Sequence, residues 1–210
     1  MDDSRFQPFD PTRPVRVSMR HLPHWEQEGA TYFVTFRTAD SLPVFRTKEL
    51  RQERTLWLRL HPPPWTDREY DDDCRFTFHK LDRWLDNHSG ACFLRRREIS
   101  SIVEEAMRHF DGERYILDES TLMPNHTHSV LKPIRGWRPR QILHSWKSFT
   151  ATRINQALGL AGQFWIHESF DRLVRDRREL ERIRTYIRAN PANAGLEEGE
   201  YALFCGQGLR

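Results

Sequence analysis

The chain is short of lysine, of cysteine and of long apolar runs, and each shortage narrows what it can be. Only four of its 33 basic residues are lysines (Lys48, Lys80, Lys132 and Lys147), and the other 29 are arginines. That bias suits bidentate phosphate contacts and stacking on bases, or reflects a GC-rich coding sequence. Three cysteines, Cys74, Cys92 and Cys205, are an odd number without metal-site spacing. They argue against a disulfide framework and fit a reducing compartment. No apolar run approaches the roughly 18 residues of a membrane span, and no signal-peptide pattern precedes the core. A cytoplasmic protein with no membrane partner is the expectation. Apolar residues make up 38% of the chain and charged ones 30%, but seven Trp and thirteen Phe supply large bodies for a core, so the chain reads as globular. At 210 residues it is one domain, or one with an insertion.

The net charge of +3 hides a local concentration. Between Lys132 and Arg188 there are 13 basic residues against five acidic ones, an excess of 8. This is the electrostatic footprint of a nucleic-acid surface.

Residues 1–28 are rich in Pro and Arg and read as an extended lead-in. Thr31 to Arg37 is a β-branched and aromatic run, a first strand. Residues 42–90 read as a helical insertion, with pieces at 49–60, stopped by Pro62-Pro63-Pro64, and at 76–85. The acidic triplet Asp71-Asp72-Asp73 between them reads as a solvated loop, and the region is assigned no chemistry. A helix over 98–110 puts Ile102, Val103, Ala106 and Met107 on one face. Strands follow at 114–121 and 126–131. A helix over 139–158 buries Ile142, Leu143, Trp146, Phe149 and Ile154, a last strand falls in the segment from Phe164 to Val174, and a helix over 177–189 closes the domain. The order strand, helix, strand, strand, helix, strand predicts an α+β, ferredoxin-like (RRM-like) antiparallel sheet with helices on one face. The domain is placed at 29–196 and a C-terminal tail at 197–210.

Two features carry chemistry. His126 and His128 are two apart on a strand, so both imidazoles face one way and can share a divalent cation. In the closing helix, Asp176 and Glu179 form a capping-box-like start, and Tyr186 and Asn190 stand i, i+4 on one face. Pro191 disfavours helical geometry at Asn190, which therefore marks the last turn. Read singly, a half-buried aromatic and a helix cap are the better explanations of Tyr186 and Asn190.

Taken in order, these segments resemble the REP-associated tyrosine transposases, single-tyrosine HUH endonucleases of insertion-sequence type. The likeness runs from about His21 to Leu196. It rests on His21-Leu-Pro-His-Trp25, Thr31-Tyr-Phe-Val-Thr-Phe-Arg37, Met123-Pro-Asn-His-Thr-His128, Ser145-Trp-Lys-Ser-Phe149, Phe164-Trp165, Ser169-Phe-Asp-Arg172, Tyr186-Ile-Arg-Ala-Asn-Pro191 and Ala194-Gly-Leu196. The resemblance implies that His126, His128 and Asn190 ligate Mg²⁺ or Mn²⁺ and that Tyr186 is the nucleophile. It implies nicking and strand transfer on single-stranded DNA bearing REP-like hairpins, through a 5′-phosphotyrosine. Insertion-sequence relatives are dimers, whereas the REP-associated branch is monomeric, and a monomer is expected here. Arg135, Arg138, Arg140, Lys147, Arg153, Arg172 and Arg182 are the expected DNA contacts, with Trp137, Trp146 or Trp165 available to stack on bases.

The chain departs from the family pattern at Thr127, where a bulky apolar residue is usual, and Ser129 and Asp118-Glu119-Ser120 add further polarity. Unpaired hydroxyls facing the helices would cost roughly 1–3 kcal/mol each. A silent, domesticated hairpin-binding protein is the alternative reading. A metallohydrolase using the His pair with Asp118 or Glu119 is a third.

Overall fold

The computed structural model describes residues 5–19, 23–62 and 65–210. His21 and Leu22 of the resemblance, and Pro63 and Pro64 of the expected helix stop, lie outside the described residues. The fold is α+β, with two antiparallel sheets and five α-helices among the described residues. A small sheet pairs β1 (Arg16–Met19) with β2 (Pro23–Glu26), so the segment expected to be an extended lead-in contributes a hairpin. The main sheet contains β3 (Tyr32–Arg37), β4 (Tyr115–Leu122), β5 (His126–Pro133), β6 (Phe170–Leu173) and β7 (Ala202–Cys205), in the order β6-β3-β5-β4-β7. The last strand comes from the expected C-terminal tail. With only four residues and alternate burial, it carries little pattern to read from sequence.

Between β3 and β4 run α1 (Val44–Leu60), α2 (Asp67–Leu85) and α3 (Arg97–Arg108). Helix α4 is Pro139–Leu158 and α5 is Arg177–Asn193. Thr66 and Glu69 close a capping box at the start of α2, which extends the helix upstream through the Asp71-Asp72-Asp73 triplet. The triplet is therefore helical, with Asp71 paired to Arg175 at 2.8 Å and Asp73 paired to Arg54. Helix α5 is opened by the side chain of Asp176, which accepts from the Glu179 amide at 2.7 Å. It continues through Pro191 to Asn193, so Asn190 lies within the helix and does not end it. Proline removes one backbone donor, and the chain tolerates that loss in the final turn.

Strand alternation divides the side chains of the sheet between two faces. On one face Phe36 meets Trp146 and Trp165, and Tyr115 stands edge-on to Trp146 at 5.2 Å. Trp146 Nε1 donates to the Tyr115 hydroxyl, which donates to the carbonyl of Met107 on α3, so α3 and α4 are tied to this face. The opposite face presents Phe33, Thr35, His126 and His128 to α2 and α5: Phe33 lies edge-on to Phe78, and His128 to Tyr186. The expectation of helices on one face is thus corrected. The insertion and the closing helix cover the second face, because a sheet with both faces buried needs cover on both.

Candidate metal and tyrosine site

The site is assembled on β5, α2 and α5. His126 and His128 are fully buried, and their Nε2 atoms converge to 2.9 Å. Their outer nitrogens are held separately. Asn125 donates through Nδ2 to the carbonyls of Ser89 (2.9 Å) and Leu85 (3.4 Å), which turns its Oδ1 toward His126 Nδ1 at 2.8 Å. His126 therefore carries its proton on Nδ1 and presents a lone pair on Nε2. His128 Nδ1 meets the Thr35 hydroxyl at 2.8 Å. A hydroxyl can donate or accept, so His128 can present either a proton or a lone pair at Nε2. Burial, followed by the neighbouring His128, pushes His126 well below the usual imidazole range, which keeps it neutral and ligand-competent.

Around this pair stand Asp82, Tyr186 and Asn190. The Tyr186 hydroxyl donates to Asp82 Oδ1 at 2.5 Å, accepts from Asn190 Nδ2 at 2.8 Å and lies 3.0 Å from His128 Nε2. Asp82 Oδ1 is also 3.3 Å from His128 Nε2. Burial and then the Asp82 carboxylate push the Tyr186 phenol far above its ordinary value. Burial pushes Asp82 up, but its contacts with His128 and Tyr186 outweigh this and hold its carboxyl below the usual range. Asp86, one turn on, is lifted to about 7 by burial and by Asp82.

The residues present fit a divalent cation. The ligand atoms of Asp82, His126 and His128 all lie within 4.8 Å of one another. Asn190 Oδ1 is buried without a hydrogen-bond partner, because the tyrosine hydroxyl is already committed as donor to Asp82. Two imidazoles and an orphaned amide oxygen, with the Asp82 carboxylate beside them to offset the charge, suit hard or borderline divalent ions.

The structure thus brings together His126, His128, Tyr186 and Asn190. It adds Asp82, which lies in the segment to which no chemistry was assigned. Asp118 and Glu119 are directed elsewhere. A bulge between Leu117 and Ser120 inserts one extra residue, and the carboxylates pair with α5, Asp118 bidentately with Arg184 (2.7 and 2.8 Å) and Glu119 with Arg188 (2.8 Å). The metallohydrolase reading built on them is overturned. On the other face, the Ser129 hydroxyl is satisfied by Ser120 at 2.7 Å, whereas Thr127 Oγ1 is buried without a partner.

The expected DNA contacts are dispersed. Arg138, Arg140 and Lys147 line a groove of about 710 Å³ beside α4, together with Arg16 and Gln163. Arg135, Arg153 and Arg182 are exposed and do not line it. Arg172 is held by Glu179 at 2.7 Å, which neutralises its charge. Of the aromatics, Trp146 and Trp165 are core residues, the latter donating to Thr150 at 2.8 Å, and neither is free to stack on a base. Trp137 is half-buried under the Arg114 guanidinium. No described helix is long and apolar enough to cross a membrane.

The fold and site define an α+β protein whose main sheet carries a buried histidine pair facing a helix-borne tyrosine. Among solved structures the chain is similar to a REP-associated tyrosine transposase bound to a REP hairpin, with 13% identity, a TM-score of 0.50, and coverage of 86% of this chain and 77% of that one. This likeness is one of fold. No protein-family model and no curated protein matches the sequence.

Proposed function

We propose that this protein is a metal-dependent single-strand DNA endonuclease and strand transferase acting at hairpin sequences, with Tyr186 as nucleophile. The observation that carries the reading is the convergence of Asp82 Oδ1, Asn190 Nδ2 and His128 Nε2 on one phenolic oxygen. The strand order β6-β3-β5-β4 supports a ferredoxin-like core with β7 added at its edge. The transposase of similar fold is bound to a REP hairpin, which supports a DNA hairpin as partner.

His126, His128 and Asn190 would hold Mg²⁺ or Mn²⁺, which when bound polarises the scissile phosphate and neutralises charge developing on it. The other parts of the reaction fall to the chain. A phenol raised so far by burial is fully protonated at neutral pH and needs a base. Asp82, already accepting the hydroxyl hydrogen, takes that proton as Tyr186 Oη bonds to phosphorus. The bond from phosphorus to the 3′ oxygen breaks, and that oxygen leaves as a hydroxyl after gaining a proton. One phosphodiester is exchanged for another, so rejoining needs no external energy source. The groove lined by Arg138, Arg140 and Lys147 is the proposed seat of the hairpin backbone.

The test is a denaturing gel with end-labelled hairpin DNA from the gene's own flanks, in Mn²⁺, in Mg²⁺ and in chelator. A metal-dependent, protease-sensitive adduct on the fragment 3′ of the cut, absent in Tyr186→Phe, is expected. An adduct of equal yield in that variant would refute the nucleophile. Tight hairpin binding with no adduct in either metal would establish the silent binder instead.

A further inference from the structure

On the same sheet face as the His–Tyr cluster, a cavity of about 390 Å³ lies between α1 and the β3–β6 edge. Thr35 belongs to both, since it lines the cavity and its hydroxyl meets His128. Two arginines in the lining are more than nine-tenths buried, Arg37 at 6% exposure and Arg54 at 8%. Arg37 donates to Ser41 Oγ at 2.9 Å, and among the described residues no carboxylate pairs with it. It stands opposite His126 in the β3–β5 register. Arg54 pairs with Asp73 through Nη1, but its Nε and Nη2 are buried without an acceptor. Burial pulls Arg37 down to about 10, which leaves it charged at neutral pH.

Burying guanidinium groups with donors unmet is costly unless an anion completes the site. Arg54 has two donors unmet and Arg37 has a single hydroxyl and no carboxylate for a partner, so the lining that holds both defines where that anion belongs. The carboxylate in the lining, Glu168, is engaged by His24 Nε2 at 2.8 Å and so opposes an anion little. The rest of the lining mixes Thr47, Arg51, Thr55 and Ser169 with an apolar part made by Leu50, Leu58, Leu81, Ile166 and Phe170. A bare phosphate has no use for that apolar part, whereas a base does. The volume sits at the low end of the roughly 300–1,000 Å³ of small-molecule sites, enough for one nucleotide and too little for a duplex.

We propose that this cavity takes one unpaired nucleotide of the strand being cut, its phosphate on Arg37 and Arg54 and its base between the α1 leucines and Phe170. The inference rests on the DNA-processing reading above and extends it, because it gives the α1–α2 insertion a part in strand recognition.

The test uses the full chain with chelator present, titrated calorimetrically with deoxynucleoside monophosphates and with inorganic phosphate. Nucleotide binding at least tenfold tighter than phosphate binding is expected. Arg37→Gln should weaken it at least tenfold. Because a buried arginine can matter for folding, Leu58→Trp on half-exposed α1 provides a second route, filling the slot and weakening nucleotide binding by a similar factor with the melting temperature retained. Unchanged nucleotide affinity in folded Leu58→Trp, phosphate binding as tight as nucleotide binding, or no nucleotide binding by the wild type would each overturn the proposal. Chelator makes the readout independent of nicking. Nucleotide binding without any adduct would leave the cavity assigned and sink the tyrosine mechanism, while adduct formation without nucleotide binding would do the reverse.

Discussion

The two faces of the main sheet are built from the same strands and follow opposite rules. Along β5, Thr127, Ser129 and Leu131 look toward α3 and α4, where Phe36, Tyr115, Trp146 and Trp165 interlock. His126 and His128 look toward α2 and α5, where polar groups, buried and incompletely satisfied, stand beside Phe33 and Phe78. One face gains its stability from apolar burial. The other carries an orphaned amide oxygen, a buried phenol beside a carboxylate and an arginine with two unmet donors, features that stability alone would remove. A single alternation thus divides holding the fold together from doing chemistry.

The sharpest attempt to break this division is Trp146→Ala. Loss of a fully packed indole and of its hydrogen bond to Tyr115 should cost about 3–5 kcal/mol in urea unfolding. His126→Ala on the other face should cost clearly less and should remove the stabilisation that Mn²⁺ gives to the melting temperature. Equal costs would show that the faces are not specialised. Next, Asp82→Asn keeps the volume but loses the base, so adduct yield should fall at least tenfold on the gel while hairpin affinity by filter binding holds. Retained yield would remove Asp82 from the mechanism.

A third prediction concerns pH. Burial pulls the His24 imidazole down and lifts Asp171, but the hydrogen bonds that His24 donates to Asp171 and Glu168 outweigh this and raise His24 from 6.5 to about 10. A folded value above the unfolded one gives stability that is full below pH 6.5 and disappears as pH rises through about 10. Melting temperatures from pH 7 to 10 should therefore slope downward, and His24→Gln should flatten the slope; an unchanged slope would refute the assignment. The smallest expected effect is at Thr127, whose hydroxyl is buried and unpaired. Thr127→Val should stabilise the fold by about 1 kcal/mol without altering the Mn²⁺ response. A destabilised variant would mean that the hydroxyl has a partner after all.

Local pattern made much of this legible. The 139–158 helix falls at the bounds that its proline start and Gly159 stop predict, and the period-2 spacing put both imidazoles on one face. Asp82 was not legible because its partners, His128 and Tyr186, are 46 and 104 residues away in sequence, and no local pattern encodes that distance. One signal was available. Asp82 and Asp86 are like charges at i, i+4, near the C-terminal end of a helix, where the dipole disfavours anions. A helix that violates two local rules at one place indicates that something outside the helix requires those residues. Strands β1, β2 and β7, at four residues each, are too short to announce themselves.

Asn125 also has a spectroscopic consequence. Its amide is clamped by the carbonyls of Leu85 and Ser89, at the end of α2 and just beyond it, and its oxygen receives the Nδ1 hydrogen of His126. That hydrogen is sealed from water only while the end of α2 stays docked on the sheet. It should appear as a slowly exchanging, far-downfield ring resonance in proton NMR, and its exchange rate would clock how often the insertion lifts away from the histidines.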